Sequence, residues 1–320
     1  MPPLITTLTL NPTIDLASEA KAVQPIRKVR TFNERQDPGG GGVNVSRVVR
    51  ELGGETLAMI LAGGVTGRFL EELLDEADVP RRSIPIAGRT RISQTVLDQT
   101  SQFEYRFVPE GPTITEAEWM AALEAIGEVE GGWFVASGSL PAGAPQDFYA
   151  RAATIAARRG IRFVLDTSGD ALRMALEAGG VELVKPSLGE FESLIGRELR
   201  DPALLEQAAV DLARSGRVAR VAVTLGRDGA LLATAEGTLR LPALDVVVRG
   251  AVGAGDSFLA SMTLALARGQ STEDAFAWGV AAGAAAVSSA GTAHPRRTEV
   301  EALRQRIHQV PAGPVPKGEQ

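Results

Sequence analysis

Gly253-Ala254-Gly255-Asp256 joins a loop that ends at Val252 to an apolar helical segment, Ser257 to Ala267. Small residues let a chain turn tightly, and the first N–H groups of a helix have no acceptor within it, so they can face an anion. The stretch therefore places the carboxylate of Asp256 beside free backbone amides. Such a carboxylate can accept a proton late in phosphoryl transfer, a reaction that mainly needs charge stabilisation and alignment. The alternative is an aspartate that caps the helix after a glycine turn.

Strand-like and helix-like segments alternate along most of the chain. The order is strand, helix, strand, helix from Leu4 to Asp78, and the same order resumes at Trp133. Parallel strands connected by helices produce it, with helices on both faces of the sheet. We therefore predict an α/β fold with a mostly parallel central sheet. The predicted strands are 4–10, 56–62, 133–136, 162–165, 182–184 and 218–224, and the predicted helices are 43–52, 66–78, 145–159, 171–178, 202–214, 271–290 and 298–309.

Two segments, 12–36 and 87–110, interrupt this order and show no helical pattern. Within the second, 92–98 and 102–108 have the composition of paired strands, which predicts an antiparallel hairpin. We predict that both segments form a small β-sheet lid on a single domain, 1–310. Because such a sheet is marginally stable alone, it is expected to pack on something, such as a second subunit. The tail, 311–320, is expected to be disordered.

The composition argues against several classes of function. A formal net charge of -6 disfavours general binding to nucleic acid or to membrane surfaces, and the absence of cysteine removes thiol and disulfide chemistry. Two histidines leave little material for a zinc site or a histidine-based triad. No apolar run approaches the length of a membrane span, and no signal-peptide pattern is present. We expect a cytoplasmic protein.

Basic residues nevertheless cluster in and beside the lid segments. Each cluster is either a solvated face or a site for an anionic ligand. The clusters are Lys21, Arg27, Lys28, Arg30 and Arg35, and Arg81, Arg82, Arg89 and Arg91.

A second glycine loop, Gly39 to Gly42, opens the predicted helix that carries Asn44. A dinucleotide fingerprint would need a buried strand directly before this loop, and Gln36-Asp37-Pro38 is not one. Four glycines instead allow a ligand to lie on the backbone, with Asn44 offering a donor and an acceptor to sugar hydroxyls. The alternative is a flexible loop. Asp15, which follows the first strand, either binds hydroxyls at the ligand edge of the sheet or is an Asx-turn residue.

Later segments suggest a nucleotide site. Lys185 follows the strand 182–184 and suits a polyphosphate, and Glu190 suits hydrated magnesium. The alternatives are a surface lysine and a first-turn glutamate. The loop after Thr224 either approaches phosphates or ribose or is an ordinary turn. Small residues on one face of the helix 271–290 either pack closely or admit an adenine ring. They are Gly279, Gly283 and Ala286.

Together these segments resemble the motifs of the PfkB-type (ribokinase-like) carbohydrate kinases, in the same order over residues 4–309. The resemblance implies a three-layer α/β sandwich with a small β-sheet lid, usually a homodimer through the lid. It also implies transfer of the γ-phosphoryl group of ATP to a sugar hydroxyl, with Mg²⁺. The motifs are Gly39 to Asn44, Ser137 to Pro141, Lys185 to Glu190, Thr224 to Gly229 and Gly253 to Asp256.

The resemblance further implies a role for each matching residue. Asp256 would be the base, and Gly253, Ala254 and Gly255 would form the anion hole for the moving phosphoryl group. The sugar would be held by Asp15, Gly40, Gly41, Asn44 and Ser139, its phosphate would lie near Arg91, Ser93 and Arg106, and Lys28 would reach across the dimer. The nucleotide would face Lys185, Ser187, Thr224, Gly226, Gly229 and Gly283, with Glu190 organising Mg²⁺ through water. Whether K⁺ is also needed stays open.

Three phosphorylated ketoses are candidate substrates: fructose 6-phosphate, fructose 1-phosphate and tagatose 6-phosphate. Thr9 to Asp15, 38–44, 105–108 and 250–257 resemble most closely the members that act on fructose 6-phosphate. A basic lid also suits a sugar phosphate better than a neutral sugar. Two residues depart from the family pattern: Ser187, where asparagine is usual, and Ser93, where a longer amide is often found.

Two hypotheses of other classes remain. A sugar-phosphate sensor would keep the fold without activity, although a sensor has no need for a positioned base such as Asp256. A dehydrogenase would have to bind a reduced nicotinamide dinucleotide.

Overall fold

Two β-sheets organise the part of the chain that the computed structural model describes, residues 3–250, 252–289 and 294–308. The strands are β1 (Leu4–Thr9), β2 (Thr13–Ala20), β3 (Thr31–Gly39), β4 (Glu55–Ala62), β5 (Arg81–Pro85), β6 (Arg91–Asp98), β7 (Glu104–Phe107), β8 (Trp133–Ser137), β9 (Arg162–Asp166), β10 (Val181–Val184), β11 (Val218–Thr224), β12 (Ala230–Thr234) and β13 (Gly237–Leu241). The helices are α1 (Gly41–Glu51), α2 (Gly64–Glu76), α3 (Glu116–Gly127), α4 (Phe148–Arg158), α5 (Gly169–Ala178), α6 (Leu188–Ile195), α7 (Pro202–Arg214), α8 (Ala254–Ala267), α9 (Thr272–Ser288) and α10 (Arg297–His308).

The larger sheet has nine strands in the order β13-β12-β11-β10-β9-β8-β1-β4-β5. All neighbouring strands from β11 to β5 pair in parallel, and only β12 and β13 are added antiparallel at one edge. The predicted mostly parallel sheet is thus confirmed. In such a sheet the carboxyl ends of the parallel strands meet at one edge, which is where ligands bind in open α/β folds.

Helices cover both faces of this sheet, as its buried strands require. On one face, α3 to α7 pack over residues such as Phe134 and Phe163, whose rings stack 6.0 Å apart. On the other, α1, α8, α9 and α10 pack over residues such as Ile5 and Val135. Burying each of these large apolar side chains contributes about 1.5–3 kcal/mol. The predicted three-layer α/β sandwich is therefore confirmed.

The smaller sheet has four strands in the order β3-β2-β6-β7. The predicted hairpin is present as the antiparallel pair β6–β7. β2 pairs antiparallel with β3 and parallel with β6, so the sheet is mixed. Ile14 of β2 is fully buried with Val43 of α1 and Ile60 of β4, which anchors the base of the small sheet to the main domain.

The sequence patterns do not predict four elements: β5, α3, β12 and β13. A capping box between Thr115 and Glu118 marks the start of α3 and could have revealed it. β5 begins with Arg81 and Arg82, which the sequence suggests are part of a basic cluster. It is an edge strand, where charged side chains are common. The tail, 311–320, lies outside the described residues.

Two helix starts differ from the prediction by three residues, and the other predicted starts lie within two residues of the observed ones. α4 starts at Phe148 rather than at residue 145, and α8 starts three residues earlier than the apolar pattern indicates. None of the described helices has both the length and the apolar composition to span a bilayer.

Candidate active site

Asp256 lies in the first turn of α8. This helix begins at Ala254, and its N-cap is Gly253, which adopts a left-handed conformation at φ 73° and makes no side-chain capping bond. The interpretation of Asp256 as the N-cap is therefore wrong. Glycine reaches this conformation without steric cost. Because no side chain caps the helix, the amides of its first turn are available to an anion.

Neighbouring groups hold the Asp256 carboxylate and set its charge. Asn44 donates a hydrogen bond from Nδ2 to Oδ2 of Asp256 at 2.9 Å. Burial, and then the negative charge of Asp166, raise the pKa of Asp256 from 3.8 to about 6, although Asn44 and Lys185 lower it. A carboxylate with this pKa is ionised at neutral pH and accepts a proton more readily than an ordinary aspartate.

Lys185 follows β10 directly and is only 6% exposed, so the interpretation as a surface lysine is wrong. Its Nζ lies 3.0 Å from the position that a Cβ on Gly255 would occupy, and 3.3 Å from Oδ1 of Asp166. Burial lowers the pKa of Lys185, but Asp166 and Asp256 outweigh burial and raise it. The ammonium group is therefore a fixed positive charge over the start of α8.

Asp166 is a site residue that the sequence analysis does not identify. It ends β9 at the same sheet edge as Lys185. Besides its contact with Lys185, its Oδ2 accepts a hydrogen bond from Ser137 at 3.4 Å. The sequence does contain a signal for Asp166: it directly follows the predicted strand 162–165, and a carboxylate at the carboxyl end of a parallel strand lies at the ligand edge of the sheet.

The glycine loop before α1 is packed against the sheet and is not a flexible loop. A Cβ on Gly41 would lie 2.2 Å from Oγ of Ser137, and one on Gly42 would lie 2.6 Å from the carbonyl oxygen of Leu8. Only glycine permits this approach, which seats the start of α1 on the ends of β1 and β8. Gly40 is the N-cap of α1. The exposed Ser139 follows β8 beside this loop.

Asp15 lies within β2 of the small sheet, so the expectations of a strand-end position and of an Asx turn are both wrong. In the sheet register, Asp15 pairs with Ser93 on one side and with Asp37 on the other. Because side chains alternate along strands, Arg91 and Arg106 share the face that carries Asp15. Burial, followed by the charge of Asp37, raises the pKa of Asp15. The small sheet therefore presents both acidic and basic groups on one face.

Two residues on this face already have protein partners. Arg91 donates from Nη1 to the carbonyl oxygen of Pro109 at 2.8 Å and from Nη2 to that of Asn11 at 2.9 Å. Ser93 is 8% exposed, and its hydroxyl lies 3.0 Å from that of Thr13. Arg91 thus fixes the base of the small sheet, and Ser93 has little free surface.

Arg106 and Lys28 are both exposed, but they differ in position. Arg106 is in β7, on the face of Asp15. Lys28 lies in the connection beyond the far end of β2, and the five residue steps from Asp15 to Ala20 span about 17 Å of strand. Within one chain, the structure therefore does not bring Lys28 to Asp15.

Ser187 and Glu190 form a capping box at the start of α6. The backbone N–H and the hydroxyl of Ser187 each donate to Oε2 of Glu190 at 2.8 Å. The backbone N–H of Thr224 donates to the carbonyl oxygen of Pro186 at 3.0 Å, which joins the end of β11 to this cap. Glu190 is thus a first-turn glutamate of α6, as the alternative interpretation expects, and its Oε2 takes part in the cap.

The remaining predicted nucleotide residues are glycines beside the same edge. Gly226 begins a short 3-10 turn after β11, and Gly229 ends it at φ 91°, close to β13. A Cβ on Gly283 of α9 would lie 3.5 Å from the carbonyl oxygen of Ala254. A Cβ on Gly279 would lie 3.0 Å from the ring of Phe258, so the small-residue face packs α9 on α8.

Comparisons with known proteins identify the family of this chain. A family model described as pfkB family carbohydrate kinase matches residues 8–299. The ATP-dependent 6-phosphofructokinase isozyme 2 of Mycobacterium tuberculosis is 41% identical over 99% of this chain and 92% of its own length. The isozyme 2 of Escherichia coli is 39% identical over 90% of this chain and 94% of its own length. The crystal structure of phosphofructokinase-2 from Escherichia coli in complex with fructose-6-phosphate matches with a TM-score of 0.91 at 36% identity, covering 96% of this chain and 99% of that one. The resemblance seen in the motifs is thus confirmed, and the chain belongs to the pfkB family of carbohydrate kinases.

Proposed function

We propose that this protein transfers the γ-phosphoryl group of ATP to fructose 6-phosphate, giving fructose 1,6-bisphosphate and ADP. One observation carries the proposal: Asp256, with a raised pKa, is hydrogen-bonded to Asn44 in the uncapped first turn of α8. The basic face of the small sheet and the names of the relatives at 39–41% identity support the choice of sugar.

In the proposed step, the sugar hydroxyl oxygen forms a bond to the γ-phosphorus while the bond from that phosphorus to the oxygen of the departing ADP breaks. The hydroxyl proton passes to the Asp256 carboxylate. The amides of Gly253, Ala254 and Gly255 stabilise the charge on the moving group, as oriented amides at a helix start can. Lys185, held over Gly255, adds a positive charge at the same place.

The sugar is proposed to lie between the glycine loop and the small sheet. Asp15, Asn44 and Ser139, with the backbone of Gly40 and Gly41, would bind its hydroxyls. Arg106 would bind the phosphate by charge-assisted hydrogen bonds. Arg91, which spends two donors on backbone carbonyls, and the largely buried Ser93 would contribute less.

A homodimer through the small sheet is part of the proposal. Six of the exposed large apolar residues lie on this sheet or its connections. Apolar residues grouped in this way mark a surface that another protein covers, unlike those scattered singly over a surface. A second subunit would cover them and would bring its Lys28 toward the phosphate. A structure of the Escherichia coli relative shows a tetrameric inhibited form, so a similar protein forms oligomers. The six residues are Ile26, Phe32, Ile92, Phe103, Phe107 and Val108.

ATP is proposed to lie along the edge formed by Lys185, Ser187, Thr224, Gly226 and Gly229, with its adenine ring near Gly283. Asp166 and Glu190 offer two carboxylates near Lys185 at this edge. They fit Mg²⁺, which takes one or two carboxylates together with waters and phosphate oxygens. Asp166, and Glu190 through water, would hold the ion. When bound, Mg²⁺ would neutralise charge on the phosphates.

A requirement for K⁺ is proposed by similarity. One structure of the Escherichia coli relative was determined in complex with potassium. Activity in K⁺ compared with Na⁺ at equal ionic strength tests it, and equal rates would reject the requirement.

The test of the proposed function is ADP release with three sugars: fructose 6-phosphate, fructose 1-phosphate and tagatose 6-phosphate. We expect kcat/KM to be highest for fructose 6-phosphate. A relative named 1-phosphofructokinase is only 30% identical, so fructose 1-phosphate has weaker support than fructose 6-phosphate. If none of the three sugars is turned over, the sensor hypothesis replaces the kinase.

A further inference from the structure

Arg47 is a buried arginine next to the candidate active site. It lies on α1, three residues after Asn44, so both side chains belong to one face of the helix. The side chain is 8% exposed. Nη2 lies 2.9 Å from Oδ1 of Asp37, and Nη1 donates to the carbonyl oxygen of Pro38 at 3.1 Å. Arg47 therefore clamps the last residues of β3, at the base of the small sheet.

The clamp acts on a pair of like charges. Asp15 and Asp37 face each other across the β2–β3 ladder, an arrangement that is unfavourable for two carboxylates. Arg35 contacts Oδ2 of Asp37 at 2.7 Å, while Arg47 contacts Oδ1. The positive charges of Arg47 and Arg91 lower the pKa of Asp15, against burial and Asp37, which raise it. Asp15 thus depends on Arg47 for part of its charge balance.

Stability alone is a poor explanation for this arginine. A buried ion pair often contributes less than the apolar residues that could replace it. Nε of Arg47 is also buried with no hydrogen-bond partner among the described residues. Such an unsatisfied group costs free energy and calls for an explanation.

Arg47 also borders the cleft between the sugar and phosphoryl regions. Asp15, Asn44, Arg47 and Gly253 line this cleft. The same face of α1 therefore contacts Asp256, the proposed catalytic base, through Asn44, and the end of β3 through Arg47.

We propose that Arg47 is a positioning residue. It holds Asp15 and Asp37 in place and fixes the lower end of the small sheet to α1, so that the sugar hydroxyl is aligned with the carboxylate of Asp256. The alignment of the sugar rests on the proposed function. Arg47 does not contact the reacting atoms in this proposal. Its effect on the reaction passes through Asp15 and Asn44.

Several other charged groups surround Arg47 and must be considered in a pH profile. Loss of the Arg47 charge changes the electrostatic field at these groups as well, so Arg47→Lys, which keeps the charge, is the reference that isolates the effect of charge. They are Asp15 on β2, Arg35 and Asp37 on β3, Glu51 on α1, Arg91 on β6, Asp256 on α8 and His294, whose pKa is lowered by burial and by Arg47.

The test compares Arg47→Met and Arg47→Lys with Arg50→Met. Arg50 is on the same helix, but it is paired with Asp78 at the surface and is absent from the proposed site. For Arg47→Met we expect KM for fructose 6-phosphate to rise about 10- to 100-fold, the effect of losing a hydrogen bond to a charged group. KM for ATP should change less than about twofold. Arg50→Met should match the wild type in both.

The titration of Asp15 separates charge from contact. The acid limb of kcat/KM reports the proposed base Asp256, so Asp15 is followed directly by carboxyl ¹³C NMR of the free protein. Without the charge of Arg47, the pKa of Asp15 rises further, so its titration should move to higher pH in Arg47→Met. Arg47→Lys keeps the charge and should keep that titration, while its KM for the sugar stays elevated because lysine lacks the guanidinium fork. An equal rise in both KM values, or an unmoved Asp15 titration in Arg47→Met, would overturn the proposal.

Hydrogen exchange without substrate gives a readout that does not depend on the proposed function. Amides of residues 35–39 should exchange faster in Arg47→Met than in the wild type, with Arg50→Met unchanged. Unchanged exchange there would overturn the clamp even if the enzyme phosphorylates fructose 6-phosphate. If the wild type does not use that sugar, the proposed function fails while faster exchange still supports the clamp. If Arg47→Met does not fold, Arg47→Lys supplies the same comparison.

Discussion

Replacing Asp256 with asparagine should make the protein more stable and much less active at the same time. Asparagine keeps the size of the side chain and can still accept the hydrogen bond from Asn44, but it cannot accept the hydroxyl proton. General-base catalysis typically contributes about 10²–10⁴-fold, so kcat should fall by that factor. KM for the sugar phosphate should change little, because the contacts that bind the sugar remain.

The gain in stability follows from the pKa of Asp256. Its native pKa of about 6 lies above the ordinary value of 3.8, so the ionised carboxylate opposes folding. A difference of this size corresponds to at most about 3 kcal/mol. Because Asp256 is partly exposed, screening by solvent reduces the expected gain in the free energy of unfolding to about 1–2 kcal/mol. The gain should be complete above about pH 7 and should shrink as the pH falls through 6, so that only a small part remains at pH 4; it vanishes below 3.8, where the wild-type carboxyl is protonated in both states.

Urea unfolding at pH 8 and pH 4, together with ADP-release kinetics, measures both effects. The matched control is Asp170→Asn, another first-turn aspartate, which sits at the surface of α5 and pairs with Arg173. That variant should lose a few tenths of a kcal/mol of stability and keep full activity. The reasoning is refuted if Asp256→Asn is less stable than the wild type at pH 8 or retains near-normal turnover, since Asp256 would then be a structural residue.

Three further predictions concern the same site and the small sheet. Lys185→Met should lower kcat at least tenfold and move the acid limb of the pH–rate profile upward, because Lys185 lowers the pKa of Asp256; an unmoved limb would place Lys185 outside the site. Ser187→Asn should lower the Mg²⁺ concentration for half-maximal rate while leaving the melting temperature unchanged, since both residues are good N-caps; a higher Mg²⁺ requirement would contradict this. Phe103→Glu should convert the proposed dimer to monomer in light scattering, whereas Val65→Glu, also at an exposed site but outside the small sheet, should not; a Phe103→Glu dimer would exclude this part of the interface.

The fold was largely predictable because hydrophobic periodicity fixes buried strands and helices locally. The parallel strands and the β6–β7 hairpin follow from such patterns. α3 was missed although Thr115 and Glu118 form a visible capping box, and β5 was missed because Arg81 and Arg82 suggested a surface cluster. Edge strands carry the weakest periodic signal, since much of their surface is exposed.

The positions of site residues were predictable where a local motif fixes the backbone. They were less predictable where contacts between distant parts of the chain determine the position of the side chain. The glycines before α1 and α8 lie at helix starts that their sequence indicates. Asp15 could not be placed correctly, because its position depends on the pairing of β2 with β3 and β6, far apart in sequence. The burial of Lys185 likewise depends on Asp166, from another strand.

The identity of the reaction product tests the central claim most directly. The protein is incubated with ATP, Mg²⁺ and fructose 6-phosphate, and the phosphorus NMR spectrum is recorded over time. The account predicts fructose 1,6-bisphosphate and ADP in equal amounts, with only trace product from Asp256→Asn. Loss of ATP without a second sugar phosphate, or equal product from Asp256→Asn, would contradict it.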